Sequence, residues 1–264
     1  MSGPDIHPSA IVEDGARIAD GCKIGAFCHI GSNVHLAAGV ELMSHVVIQG
    51  HTSIGKDTVV HPFTVLGGIP QDLKFKGEAS KLEIGARNRI REHVTMNTGT
   101  AQGGGLTKVG DDGLFMAGCH VAHDCVIGDK VILVNNAGIA GHVHIDDEVI
   151  VGGLAVIHQW VRIGRGAIIG AVTMVTHDVI PHGLVQAPRG KLDGLNLVGL
   201  KRRGVPRSDI TALRAAFQIL AQGEGAFQVR ARRLGGETES EYVKEIVAFV
   251  MGDSGRSFLT PGQI

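Results

Sequence analysis

The stretch Val109–Ile157, VGDDGLFMAGCHVAHDCVIGDKVILVNNAGIAGHVHIDDEVIVGGLAVI, carries an apolar residue at every sixth position: Val109, Phe115, Val121, Ile127, Leu133, Ile139, Ile145, Val151 and Ile157. Downstream the same frame runs on through Ile163, Ile169 and Val175. Upstream it is displaced by one residue at Ile84, Ile90 and Met96. Before that it is unbroken from Ile6 through Val12, Ile18, Ile24, Ile30, Leu36, Leu42, Ile48, Ile54 and Val60 to Leu66. A period of six matches neither the helical repeat of 3.6 nor the alternation of a long strand. It matches a short strand followed by a corner, three of which close a triangular coil of about 18 residues. Each apolar residue then points inward and stacks on its counterparts in the coils above and below. The position four residues on is small or β-branched, as at Ala10, Ala16, Cys22, Cys28, Val34, Val40, Thr52, Thr58 and Thr64. Glycine often follows the apolar residue (Ile24-Gly25, Ile54-Gly55, Ile127-Gly128), and its backbone freedom suits tight corners. The expected fold class is an all-β left-handed parallel β-helix of hexapeptide repeats with a C-terminal α-helical domain.

Composition agrees. The chain of 264 residues is 44 % hydrophobic but only 4 % aromatic, so its interior is an array of small aliphatic side chains. A formal net charge of −1 gives no field that would gather nucleic acid or an anionic membrane. Residues 1–10 lack the basic and apolar regions of a signal peptide, and no apolar run is long enough to span a bilayer. Cys22, Cys28, Cys119 and Cys125 have no zinc-site spacing and read as small buried hydrophobes in a reducing, cytoplasmic compartment.

Two segments break the count, 67–83 (GGIPQDLKFKGEASKLE) and 97–108 (NTGTAQGGGLTK). In a solenoid such insertions become loops on one face, often the binding face. The repeat domain is expected over 1–181, a linker or substrate-contact segment over 182–206, and a helical domain over 207–264. In the last, Ile210, Leu213, Phe217 and Leu220 recur at helical spacing after Ser208 as N-cap. A second helix fits Glu239–Met251, and the tail would cover the open end of the β-helix.

Among the 14 histidines, His120, His123, His142 and His158 are spaced so that winding the coil gathers them on one wall. Imidazole is the side chain best suited to general-base work near neutral pH. Asp124 adjoins His123 and can orient it. Gly141, eighteen residues after His123, lies one coil above it, with an N–H available to an oxyanion. Lys201, Arg202, Arg203, Arg207 and Arg214 form a basic patch suited to a diphosphate or an acidic carrier.

The strings SHVVIQGHTSIG, PQDLKFKGE, NRIRE, QGGGLTKVGDD, HVAHDC, NNAGIAGHV, GGLAVIHQ and GLKRRG resemble the acyl-carrier-protein–UDP-N-acetylglucosamine O-acyltransferases, which perform the first step of lipid A synthesis. The likeness covers nearly the whole chain. It implies a homotrimer with sites between neighbouring β-helices, and transfer of an (R)-3-hydroxyacyl group from acyl carrier protein to a UDP-amino sugar. By the same likeness His123 is the general base, Asp124 its partner acid and Gly141 the oxyanion donor. Gln71, Asp72 and Lys74 match first-loop contacts to the nucleotide sugar and acyl chain. His120, His142, His158 and Gln159 match positions around the acyl and sugar groups. Asn196 and Arg202 match contacts to the nucleotide or pantetheine, and Arg203 a basic residue near the phosphates and carrier. Ala171 matches the position limiting the acyl pocket, which implies a chain of about twelve to fourteen carbons.

Members carry an acidic residue where this chain has Val198, and His-Arg where it has Asn97-Thr98, which leaves a 3-amino analogue of the sugar open as acceptor. No metal or cofactor beyond the carrier's pantetheine thioester is implied, nor any nucleic-acid partner or stable membrane insertion. Three other readings remain. A related hexapeptide N-acyltransferase usually carries an N-terminal uridine-binding domain, whereas here the repeat starts at Ile6. A γ-carbonic-anhydrase-like zinc hydratase shares the trimeric β-helix and a set of histidines. The third is a non-catalytic scaffold.

Overall fold

A computed structural model describes residues 3–261; the outermost ends of the expected 1–181 and 207–264 segments lie outside the described residues. Each six-residue unit forms a two-residue strand and a corner, and three units make one turn of a triangular prism. The strands form three parallel sheets. The first begins with Asp5–Ile6, the second with Ile11–Val12 and the third with Arg17–Ile18. Register advances by eighteen residues per coil, as in Ile6↔Ile24, Leu133↔Val151 and Ile139↔Ile157. Neighbouring coils therefore pair strand to strand, about 4.8 Å apart. The inward residues Ile30, Leu36, Leu42, Phe115, Leu133 and Ile157 are fully buried in continuous columns. The small positions beside them are buried too, and their polar atoms are satisfied locally: Thr64 Oγ1 donates to Arg91 O (2.7 Å) and Cys22 Sγ to Ala37 O (3.1 Å).

Glycine plays two parts: Gly15, Gly21, Gly39, Gly118 and Gly166 take positive φ at corners, as expected. The corners do need positive φ, but non-glycine residues supply much of it, among them Phe27 (58°), His45 (58°), Asp57 (57°), Asp124 (59°) and His142 (62°). The glycines that follow the apolar column serve close approach instead. A Cβ on Gly25 would lie 2.7 Å from Met43 C, and one on Gly128 would lie 2.7 Å from Asp147 N. Such contacts exclude a side chain at these two positions.

The two insertions are shorter than the broken count implied. Third-sheet strands Lys81–Ile84 and Leu106–Val109 lengthen to four residues and pair with each other, and Lys81–Ile84 pairs on its other side with His51–Ile54. Leu82 and Thr107 are thus inward residues, and the true loops are 69–80 and 98–105. Both leave the prism between the second and third sheets, so they project from the same edge.

Residues 182–206 are not a linker. Gly183–Gln186 adds to the first sheet beside Ile168–Ile169, and Lys191–Leu195 returns antiparallel to it. Helix α1 (Leu197–Arg202) follows, capped by Asn196. Helix α2 (Arg207–Gln222) starts after Pro206, so Ser208 lies inside it rather than at its cap. Helix α3 (Phe227–Glu237) was absent from the sequence reading, because Gly235-Gly236 and a run of arginines hide its short apolar side. Helix α4 (Glu241–Met251) closes the bundle on Val243, Ile246 and Val250. The helices pack against the final coils, and the chain beyond α4 bridges Asp178 to Phe258 across the last strand edge.

Candidate active site

The corner between the second and third sheets carries the chemistry. His123, His142 and Trp160 occupy it in successive coils, joined by His142 N–H to His123 O (3.0 Å) and Trp160 N–H to Gly141 O (3.3 Å). The two inserted loops leave the same edge lower down and fold over it. Together they enclose a cavity of about 560 Å³ lined by Gln71, Asp72, Leu73, Lys74, Thr100, Gln102, His123, His142, Gln159 and Trp160.

Asp124 is the hub of this site. Its left-handed backbone lets consecutive residues His123 and Asp124 turn toward each other, which a straight strand forbids. His123 Nδ1 lies 2.8 Å from Asp124 Oδ2, and both side chains are buried. The carboxylate also accepts Thr100 N–H on Oδ1 (2.7 Å) and Thr100 Oγ1–H on Oδ2 (2.7 Å). Asp124 N–H in turn donates to Thr107 Oγ1 (2.8 Å). The second loop thus clasps the carboxylate, and Gly103 sits so close to it that any Cβ would collide with the Asp124 side chain. A carboxylate at Nδ1 puts the ring hydrogen there and leaves the Nε2 lone pair free.

Gly141 is the other constrained residue. It is buried, and a Cβ there would lie 2.5 Å from His123 Cε1 and 2.7 Å from Nε2. Its N–H has no hydrogen-bond acceptor among the described residues. An unsatisfied donor beside the free imidazole nitrogen is the arrangement that receives a developing oxyanion.

His142 stacks flat on Trp160, with ring centres 3.8 Å apart, and meets His123 edge-on at 5.0 Å. Burial pushes its imidazole below the ordinary histidine value; Asp124 opposes this and His123 adds to it. His120 is also pushed down, first by burial and then by His123.

The four histidines do not form one wall. His123 and His142 share the cavity. His120 is the outward residue of His120–Val121 on the second sheet, three residues before the corner, with Nδ1 2.8 Å from Thr95 Oγ1. His158 is exposed and meets Arg256 from the tail.

Of the other expected contacts, Gln71, Asp72, Lys74 and Gln159 line the cavity, whereas Ala171, Asn196, Arg202 and Arg203 do not within one chain. Asn196 is buried, its Nδ2 on Gly166 O (3.0 Å) and its Oδ1 capping α1 at Gly199 N (2.9 Å). Arg203 turns inward to Glu148 (3.3 Å) and His182 (3.3 Å), tying α1 to the coils. Arg202, Ala171 and Val198 are exposed. Asn97 and Thr98 are buried and anchor the first loop through Ile69 O (3.0 Å) and Ser80 Oγ (2.9 Å). The cysteines cannot serve as nucleophiles: all four are buried, and burial pushes the Cys119 thiol up to about 11 and Cys125 to about 12.

Thr100, Gln102 and Trp160 escaped the sequence reading. Trp160 stands eighteen residues after His142, a spacing that marks it as the next step of the same corner. Thr100 lies in an insertion, where the count of six has no purchase.

Comparison with known proteins gives a consistent result. A family model described as "Udp N-acetylglucosamine O-acyltransferase; Domain 2" matches residues 178–259. The chain is 66 % identical over 204 residues to acyl-[acyl-carrier-protein]–UDP-N-acetylglucosamine O-acyltransferase of Paracoccus denitrificans, covering 77 % of each. It is 44 % identical to the protein of the same name from Agrobacterium fabrum, covering 98 % of this chain and 96 % of that one. A crystal structure of a UDP-N-acetylglucosamine acyltransferase superposes with a TM-score of 0.94 at 41 % identity, over 98 % of this chain and 99 % of that one.

Proposed function

The chain belongs to the acyl-[acyl-carrier-protein]–UDP-N-acetylglucosamine O-acyltransferase family, and from that premise we propose how its own residues carry the reaction. The protein transfers an acyl group from acyl carrier protein to UDP-N-acetylglucosamine, the first step of lipid A biosynthesis. The group transferred is an (R)-3-hydroxyacyl chain, and the acceptor is the sugar 3-position, as hydroxyl or as its 3-amino analogue. His123 Nε2 takes the proton from that group as its lone pair attacks the thioester carbonyl. Asp124 holds the required tautomer and steadies the imidazolium that forms. The Gly141 N–H receives the oxyanion. Collapse of the tetrahedral intermediate expels the pantetheine thiolate, which regains a proton from His123. The observation that carries this reading is the clasped Asp124–His123 pair, with Gly141 packed close to the imidazole Cε1 and Nε2 atoms.

The remaining contacts follow from assembly. Leu154, Val156, Val172 and Met174 leave an apolar surface exposed on the second sheet and its leading corner, and Leu73 on the first loop is fully exposed. Such surface favours self-association. In a homotrimer a neighbouring chain brings Ala171, Asn196, Arg202 and Arg203 to the substrate's far end, with Ala171 bounding the acyl chain. No helix among the described residues is long and apolar enough to cross a membrane, and the free buried thiols fit a cytoplasmic setting.

A zinc hydratase remains the second reading, because ligand atoms of His123, Asp124 and His142 lie within 4.8 Å of one another. Asp124 counts against it. Its oxygens already accept three hydrogen bonds that a metal would have to displace. The decisive experiment is a transfer assay with (R)-3-hydroxyacyl carrier proteins of graded length and either sugar, on wild type and His123→Ala. Product that vanishes in the variant supports the mechanism. Absence of product from folded protein holding stoichiometric zinc would replace it with the hydratase.

A further inference from the structure

The segment after α4 turns back along the prism toward the active-site corner, and it is firmly held. Ser254 Oγ donates to Asp178 Oδ2 (2.6 Å), Asp178 N–H to Ser257 O (2.9 Å) and Leu259 N–H to Asp178 O (2.8 Å). Asp178 is fully buried and also receives Arg162 through its N–H (2.8 Å) and Nε (2.7 Å). The Arg162 guanidinium lies 4.4 Å from the ring centre of Phe249 and 5.8 Å from that of Phe258, one on α4 and one on the strap. The strap therefore has one place to lie.

Its furthest reach is Arg256, whose Nη2 stands 2.8 Å from His158 Nδ1. Ser254 Oγ fixes the Arg256 backbone by accepting its N–H (3.0 Å). The strap also walls a second cavity of about 500 Å³, with His142, His144, Trp160 and Arg162 on one side and Asp253, Ser254, Gly255 and Arg256 on the other. His142 and Trp160 line both cavities, so the two spaces adjoin across one stacked pair.

A guanidinium only donates. His158 Nδ1 must then accept, and the ring hydrogen sits on Nε2. Gln159 O, 3.2 Å from the same Nδ1, is not its partner, because that bond needs the hydrogen the guanidinium excludes. The shorter, charge-assisted contact prevails. We propose that Arg256 is a positioning residue for the transfer reaction: it holds exposed His158, which directly precedes the cavity-lining Gln159 and Trp160, as an Nε2–H donor that binds an acceptor oxygen of substrate, a phosphate or amide oxygen. The C-terminal strap is thereby part of the working site. This inference rests on the reaction assigned above.

The test is steady-state kinetics with each substrate varied in turn, on wild type, Arg256→Ala, Arg256→Lys, His158→Ala and the Arg256/His158 double variant. Arg256→Ala is expected to raise KM for one substrate about tenfold, the scale of one charge-assisted bond, with a smaller change in kcat and an unchanged melting temperature. Lysine, which still donates, restores most of the loss. The double variant is no worse than His158→Ala alone, since Arg256 acts through His158. A raised KM for the UDP-sugar places the bound oxygen on the nucleotide sugar; a raised KM for the acylated carrier places it on the pantetheine arm. Unchanged KM values for both, or losses that multiply in the double variant, overturn the proposal. An inactive wild type would instead bring down the reaction assignment, and that is read from the wild-type assay alone.

Discussion

Replacing Asp124 by asparagine tests the mechanism with almost no change of shape. Thr100 N–H points at Oδ1 from 2.7 Å, so the asparagine oxygen must take that place. The amide nitrogen then falls at the Oδ2 position, 2.7 Å from Thr100 Oγ1 and 2.8 Å from His123 Nδ1. The threonine hydroxyl adapts, because it can accept as well as donate. His123 Nδ1 faces a new donor and must also accept, so the ring hydrogen moves to Nε2 and the base is lost. Flipping the amide restores the tautomer only by setting two buried donors against each other at Thr100, at a cost of about 1–3 kcal/mol for the unmade bond. The imidazolium formed during transfer also loses its countercharge. General-base catalysis and tautomer control together contribute about 10³–10⁴ in rate, so kcat should fall by that factor, equivalent to about 4–5.5 kcal/mol of barrier. KM for the UDP-sugar should move little. The assay is single-substrate saturation with radiolabelled UDP-sugar, alongside melting by circular dichroism. A variant that folds normally and keeps kcat within about tenfold of wild type would refute the role of Asp124 in holding the tautomer.

Gly141→Ala drives a methyl group to within 2.7 Å of His123 Nε2, and the ring, pinned by Asp124, can only tilt; kcat should fall about 100-fold with the protein still folded, and near-normal turnover would show that the imidazole has room to move. The native protein should keep full activity after iodoacetamide treatment at neutral pH, because all four thiols are buried and Cys125 is pushed up to about 12; inactivation at the rate of an exposed thiol would contradict this. Burial alone would raise the Glu245 carboxyl, but hydrogen bonds from His182 and Arg165 outweigh it and hold the group at about 2, below its ordinary 4.5. A depressed carboxylate stabilises the fold fully above its unfolded value and loses that effect as pH falls through the folded one. The gap in melting temperature between wild type and Glu245→Gln should therefore be widest above about pH 4.5 and shrink toward pH 2; a constant gap would mean Glu245 contributes by packing alone.

What could be read from the sequence was whatever the eighteen-residue winding controls. The apolar columns, the placement of Gly141 over His123 and the adjacency of His142 all follow from arithmetic on positions. The Thr100 clasp does not, because Thr100 lies in an insertion whose path is set by the residues it meets. The same holds for Asn196 and Arg203. Within one chain Asn196 caps α1 and Arg203 makes an inward ion pair, and only the packing of α1 on the last coils reveals these contacts. At Gly25, Gly55 and Gly128, which follow apolar residues of the column, crowding between coils rather than backbone twist excludes a side chain, and composition cannot tell the two apart. The 182–206 segment reads as a linker or substrate-contact segment in the sequence because the strands Gly183–Gln186 and Lys191–Leu195 pair outside the six-residue count.

The corner that holds His123, His142 and Trp160 behaves as a numbered rail. Its backbone links run from coil to coil, His142 N–H to His123 O and Trp160 N–H to Gly141 O. A change several coils away, such as at Val34 or Leu42, should alter stability without reaching the site, because in a stacked array effects at distant, unshared positions add rather than couple. Whole coils could in principle be inserted or removed below the first loop and leave the chemistry intact. Selection on catalysis and selection on the length of the prism can therefore proceed independently in this protein, with the catalytic constraint gathered in a few consecutive corners and the two loops that close over them.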